Sequence, residues 1–392
     1  MPLLFLSGLV FVLLFLNGLD LAWHKPLWND ELVTQTGTIE GIAYKNMILG
    51  HLGGEGGVAP LFYLIQKGIT DLTHFDPSDA FRGASWFYQE KYPQLLLRLS
   101  PILAMSLALT LIFYYFSLSV SIRVGVYALA VALSSFMVWS YWAEARGYAL
   151  FFLLTTVQSL IFLHVLEQPQ VSAGAWRGLS IVHWLLALTS ILGMVPIIFV
   201  SVLLWMFKER RWGPYVGCMV GPLFLSLYYY VQSPKFRFWF KEGPMELMGA
   251  VIPKDRFLII AVFMVVLLGS YWVRRGTKTI LFSQDFQKFL VYGVFVFLMI
   301  ASYVGLCLLL IWKECLMTEG FQISNRYFMG LAPIGIIATV MASLYLYRLA
   351  SPWWGKMMVI IFLGSLLLFR MERTLQFLSV RPSWLLVFLG SS

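Results

Sequence analysis

Apolar runs of about 20 residues, parted by short polar stretches, recur along almost the whole chain. They fall at residues 3–23, 95–116, 124–142, 147–165, 215–231, 257–273, 289–312, 327–347 and 355–370. A longer stretch occupies 179–207. Runs of this length cross a hydrocarbon core of roughly 30 Å as helices, and backbone in lipid must hydrogen-bond within its own segment, which again predicts helix. The last segment, TLQFLSVRPSWLLVFLGSS, is broken by Pro382 and reads as an interfacial helix or a short span. The pattern predicts an all-α polytopic membrane protein with about 10–12 transmembrane helices. It is expected to form one domain over residues 1–392, with no separate soluble part. No internal repeat is evident.

Two places depart from simple spanning. Residues 24–94 make the longest polar stretch, expected as the first external loop. Within it, IEGIAYKNMILGHL and PLFYLIQKGITDL mix apolar and polar residues at helical spacing. Both are too short and polar to span, so they predict amphipathic helices lying at the interface, joined by the glycine-rich GHLGGEGGVAP. The 179–207 stretch reads either as one tilted helix or as a hairpin turning near Gly193. The hairpin gathers Arg123, Arg177, Lys208–Arg211 and Arg274–Lys278 on one side, as short cytoplasmic loops require. It is preferred for that reason, although two arms of about 14 residues are short for the bilayer core. The loops starting at residues 24 and 143, and those near 233 and 313, then face outward.

Composition sharpens this. Only 12% of residues are charged, about half the fraction of a soluble protein. The first run has no preceding Lys or Arg and no clear small-x-small site after it, so it is expected to be retained as a span. The net charge of +9 fits cytoplasmic loops and contact with anionic lipid or phosphate; no nucleic acid is implied. The three cysteines sit singly, which indicates neither a disulfide framework nor a metal cluster.

Candidate chemistry lies at span ends. In KPLWNDELVTQTG, Asp30 and Glu31 follow the first run by seven and eight residues, about two helical turns. They read as solvated loop acids, or as a partly dried pair whose raised pKa suits a general base. In SYWAEARGYALFF, Glu144 and Arg146 interrupt two spans, with Tyr148 beside them. The acid and base can pair, or the guanidinium fork can hold phosphate oxygens. In ISNRYFMGLAPIG, Arg326 and Tyr327 open a span containing Pro333; Arg326 can snorkel to headgroups or face a site. Pro60 starts an amphipathic helix carrying Lys67, where a structural role fits best, and Lys45 and His51 are polar companions without an assigned role. Gly53–Gly57 lack the Lys-Ser/Thr helix start that a phosphate loop needs.

The order of these motifs resembles the membrane-embedded GT-C glycosyltransferases of the dolichyl-phosphate-mannose protein mannosyltransferase and lipid A aminoarabinose transferase type. The family's external Asp-Glu pair corresponds to Asp30-Glu31, its "PPLYY" helix start to APLFY (59–63), and its "RLPSAL" to RLSPIL (98–103). Its "EARPYAL" corresponds to EARGYAL (144–150), and its "RYLLPALP" to RYFMGLAP (326–333). Ala59, Val58 and Gly147 depart from the usual proline, histidine and proline.

The resemblance implies a GT-C-like bundle that transfers a sugar from a polyprenyl-phosphate donor to a lipid, glycan or protein acceptor, with inversion. It implies Asp30 as general base, Glu31 orienting it or the acceptor, and Arg146 and Arg326 on the donor phosphate. Glu144 would hold Arg146, and Tyr148 would contact the donor. No cofactor or metal is expected, and the site would face the exterior of a bacterial or archaeal cell membrane. The rival expectations are a carrier or lipid flippase, which would place charge or broken helices near mid-bilayer, and a non-catalytic partner subunit of the same fold.

Overall fold

The computed structural model describes residues 2–25, 27, 31, 33–52, 59–74, 91–168, 171–208, 213–232, 284–315, 329–349 and 353–379; all regular elements among them are helical. Helix α1 (Pro2–His24) is followed by a π turn (Thr34–Ile39) and by the short α2 (Tyr44–Ile48) and α3 (Leu61–Leu72). Then come α4 (Lys91–Ser119), α5 (Ile122–Leu133), α6 (Phe136–Trp142), α7 (Tyr148–Glu167), α8 (Ala173–Thr189) and α9 (Met194–Phe207). The series ends with α10 (Gly221–Gln232), α11 (Gln284–Cys315), α12 (Leu331–Leu349) and α13 (Trp353–Ser379). Among the described residues, five helices are long and apolar enough to cross a membrane: those at Pro2–His24, Gln94–Ser119, Tyr148–Glu167, Lys288–Leu306 and Leu331–Arg348. This is the composition of a helical membrane protein. The expected span at 257–273 and the segment after residue 379 lie outside the described residues.

Helix α4 is the axis of the bundle, with α1, α5 and α7 packed along it. Close approach of α1 depends on Gly18, where a Cβ would come within 2.7 Å of the Ile102 side chain and 2.8 Å of Trp142 Nε1. Small residues commonly serve this purpose between membrane helices, because lipid gives no hydrophobic drive and contact depends on close packing. A larger core of side chains from α1, α4–α7, α11 and α12 fills the centre, with Phe162 set edge-on to Phe295. From Arg98 to Ser119, α4 rises about 30 Å, so its two ends define two ends of the bundle.

Two expectations change. The 124–142 run is bent by 73° between α5 and α6. The break falls at Ser134-Ser135, and adjacent serines disturb helices because their hydroxyls compete for backbone groups. Ser134 Oγ donates to Val131 O (2.8 Å), Trp139 Nε1 to Leu133 O (2.6 Å) and Thr374 Oγ1 to Ser134 O (2.9 Å), so the freed carbonyls are taken up by the protein. In the polar stretch after α1, α3 is the amphipathic helix expected, but the 39–52 stretch yields only the single turn and a half of α2. Gly41 and Gly50, at φ +71° and +75°, bound it in the left-handed region that stops a helix. The 179–207 stretch adopts the hairpin, as preferred. It turns at Ser190–Gly193, where a Cβ on Gly193 would meet Leu186 O at 2.7 Å. Lys208 Nζ, just past α9, donates to Gln168 O (2.8 Å), ahead of α8.

Candidate functional site

At the Arg98 end of α4 the site is built around one ion pair. An arginine inside a membrane helix is costly unless it is paired. Arg98 is fully buried, and its fork meets a fully buried Glu31: Nε to Oε1 at 2.9 Å and Nη2 to Oε2 at 2.6 Å. Its Nη1 also donates to Ala22 O (3.2 Å) and Lys25 O, the carbonyls left open where α1 ends. Glu31 Oε1 accepts in addition from Ala145 N (2.7 Å). Burial alone would raise the Glu31 pKa, but Arg98, with Lys25 and the Ala145 N–H, holds it below the ordinary carboxylate range. Three chain segments are thus tied at one carboxylate, with Leu27, Leu97 and Ala145 packed together beside it.

A second buried contact lies alongside. Lys25 Nζ donates to Ser140 O (3.1 Å) and stands 3.8 Å from Glu144 Oε2. The Glu144–Gly147 turn then leads into α7. In that turn Arg146 N donates to Glu144 O (2.7 Å), and the half-buried guanidinium lies 5.3 Å from the Tyr148 ring centroid. That is cation–π distance. Tyr148 also meets Tyr141 edge-on at 5.3 Å.

Helix α3 covers this turn for a reason visible in RLSP. Pro101 has no N–H, so the Leu97 carbonyl is released from the α4 ladder. Gln66 of α3, fully buried, donates Nε2 to that carbonyl (2.6 Å), and Ser100 Oγ donates to Gln66 Oε1 (3.0 Å). This seats Phe62 over Gly147, where a Cβ would come within 3.3 Å of the Phe62 side chain. A proline ring would crowd that contact. Lys67 is held between Asp71 (3.5 Å) and the Tyr44 ring (5.3 Å). Tyr44 donates to Asp71 (2.7 Å), and that bond raises its pKa first, with burial and the Asp71 charge adding to it. The Tyr228 and Tyr229 hydroxyls donate to Leu49 O and Ile48 O, fastening the end of α10 to the same loop.

Among the expected site residues, Glu31, Glu144, Arg146 and Tyr148 gather here. Glu31 is a buried anchor, a poor proton acceptor but a firm support for its neighbours. Asp30, Arg326, Tyr327 and Gly53–Gly57 lie outside the described residues. Met329 and Gly330, just before α12, are described. A Cβ on Gly330 would meet the Phe151 ring at 2.5 Å, one turn into α7 from Tyr148. Arg98 and Lys25 carry no assigned role in the sequence reading. Their signal was a basic residue inside or directly beside an apolar run, which needs a partner. Among the described residues there is no group of three or more His, Cys, Asp or Glu suited to a metal ion. In comparisons with known proteins, no family model, no curated protein and no solved structure matches the chain.

Proposed function

We propose that the protein is a membrane glycosyltransferase that moves a sugar from a polyprenyl-phosphate donor to an acceptor hydroxyl. The reaction takes place at the Glu31–Arg98 end of the bundle, with inversion at the anomeric carbon. One observation carries this reading. Segments from four distant stretches, at residues 27 and 31, 62–66, 97–100 and 144–148, pack about one buried ion pair just beyond the end of the apolar helix α1, where a span leaves the headgroup region. These are the stretches whose motifs resemble the GT-C family. A donor sugar joined to a lipid tail can react only at that depth.

In the proposed step the acceptor oxygen bonds to the anomeric carbon as the bond to the phosphate oxygen breaks. The hydroxyl proton passes to Asp30, next in sequence to the anchored Glu31. The departing lipid phosphate gains charge, which Arg146, and Arg326 as a second cation, stabilise in the transition state. Glu144 and Tyr148 support Arg146, and no metal is needed where guanidinium groups do this. The acceptor is a lipid, glycan or protein outside the cytoplasm of a bacterial or archaeal cell. A carrier would need a polar route at mid-bilayer, and at the α5–α6 break the carbonyls are already engaged by Trp139 and Thr374. The test is transfer from a panel of polyprenyl-phosphate sugars by the purified protein in nanodiscs, with the product's anomeric configuration determined. Inverted product supports the reading, and specific donor binding without transfer from any donor would move it to a carrier or partner subunit.

A further inference from the structure

Lys25 stands where α1 ends and joins three parts of the bundle. Its N–H donates to Leu21 O (3.0 Å), its own carbonyl accepts from Arg98, and its ammonium donates to Ser140 O (3.1 Å). Ser140 lies in the last turn of α6, where carbonyls have no partner within the helix. The same ammonium stands 3.8 Å from Glu144 Oε2, and the two side chains are only 6% and 4% exposed. Enclosing a lysine in this way costs it hydration and side-chain freedom. A buried ion pair adds little stability over an apolar pair of the same size, so what this one supplies is position.

The part it positions is the turn that carries Arg146. The four residues of that turn are held one after another. Glu144 meets Lys25, Ala145 N donates to Glu31 Oε1 (2.7 Å), Arg146 N donates to Glu144 O (2.7 Å), and Gly147 lies against Phe62. Glu31 thus fixes one peptide of the turn, and Lys25 fixes the side chain at its start. Arg98 couples the two, because its fork grips Glu31 while its Nη1 grips the Lys25 carbonyl.

We propose that Lys25 is a positioning residue for the transfer: it holds Glu144 and, through the Glu144–Gly147 turn, aims the Arg146 guanidinium at the donor phosphate. This rests on the transfer reading, with Arg146 as the group at the phosphate. Lys25 does not touch the donor; its ammonium is engaged by Ser140 and Glu144. A guanidinium displaced by about 1 Å still attracts the resting donor, but it aligns poorly with the charge that grows on the leaving phosphate. Loss of Lys25 therefore falls on kcat more than on donor KM.

The test is steady-state transfer in nanodiscs, alongside thermal midpoints, by the parent, Lys25→Met, Glu144→Gln and the double variant. Each single change leaves one buried charge facing a neutral group and should lower the midpoint. The double change removes both charges and should return the midpoint near the parent's. The double variant should nevertheless turn over about tenfold slower, with donor KM within about twofold of the parent's. Lys25→Gln can still donate to Ser140 O and should show the same loss of kcat, which keeps the test decisive if the double variant folds poorly. Lys25→Arg keeps the charge and should recover most of the turnover. A double variant that recovers kcat together with its midpoint, or a loss confined to KM, overturns the proposal and leaves the transfer reading standing. No transfer by the parent overturns both.

Discussion

At the scale of single residues, the pair Glu31–Arg98 decides what the loop after α1 can do. A carboxylate bound twice by one guanidinium and once by a backbone N–H is fixed in position and slow to take a proton. Glu31→Gln leaves the Arg98 charge buried, a loss of about 3–5 kcal/mol, and should lower the thermal midpoint markedly at neutral pH. The folded-state pKa of Glu31 lies below its ordinary 4.5. Its contribution is therefore fully present above that value and is lost as the pH falls through the depressed one. Unfolding followed from about pH 6 to 3 should show a parent-minus-variant difference that shrinks with acidity; a constant difference would contradict the account. Arg146 makes a different prediction. Arg146→Lys keeps the charge but loses the planar fork, and should cut kcat/KM at least about tenfold with folding intact. The resemblance implied Asp30 as base with Glu31 orienting it or the acceptor, and Asp30 lies outside the described residues. What no motif showed is that Arg98, 67 positions on, ties Glu31 down as a buried anchor.

At the scale of elements, the apolar runs predicted most helices within a few residues, because lipid leaves the backbone no alternative. What they hid was local. The Ser134-Ser135 break lies inside a run whose hydropathy is continuous, and its 73° bend is stabilised by Thr374 from a helix far along the chain. The α2 stretch has helical spacing, yet glycines at positive φ cut it to a turn and a half. In contrast, the release of Leu97 O by Pro101 could be read from RLSP alone; that Gln66 would take it could not. Close helix contact gives the test at this scale. Gly18→Ala should destabilise by about 1–3 kcal/mol, since its Cβ meets Ile102 and Trp142. Gly8→Ala, on the same helix with nothing within 4 Å, should be neutral or slightly stabilising. Equal effects on the thermal midpoint would mean α1 does not pack as described.

At the scale of the whole molecule, the two ends of the bundle differ in kind. One carries buried acid–base pairs beneath α3, and the other gathers Lys208, Lys288 and Arg348. Short basic segments tend to stay in the cytoplasm, and the proposed function puts the second end there. In a cysteine-free background, Glu40→Cys should react with a membrane-impermeant maleimide on intact cells, and Lys356→Cys only after permeabilisation; the reverse pattern would invert the protein. The measurement that bears most directly on the account is sugar transfer in nanodiscs by Asp30→Asn set beside Glu31→Gln and the parent chain. The account predicts that Asp30→Asn folds with the parent's thermal midpoint yet abolishes transfer, whereas Glu31→Gln loses stability first and activity in proportion. Full transfer by a well-folded Asp30→Asn would contradict it.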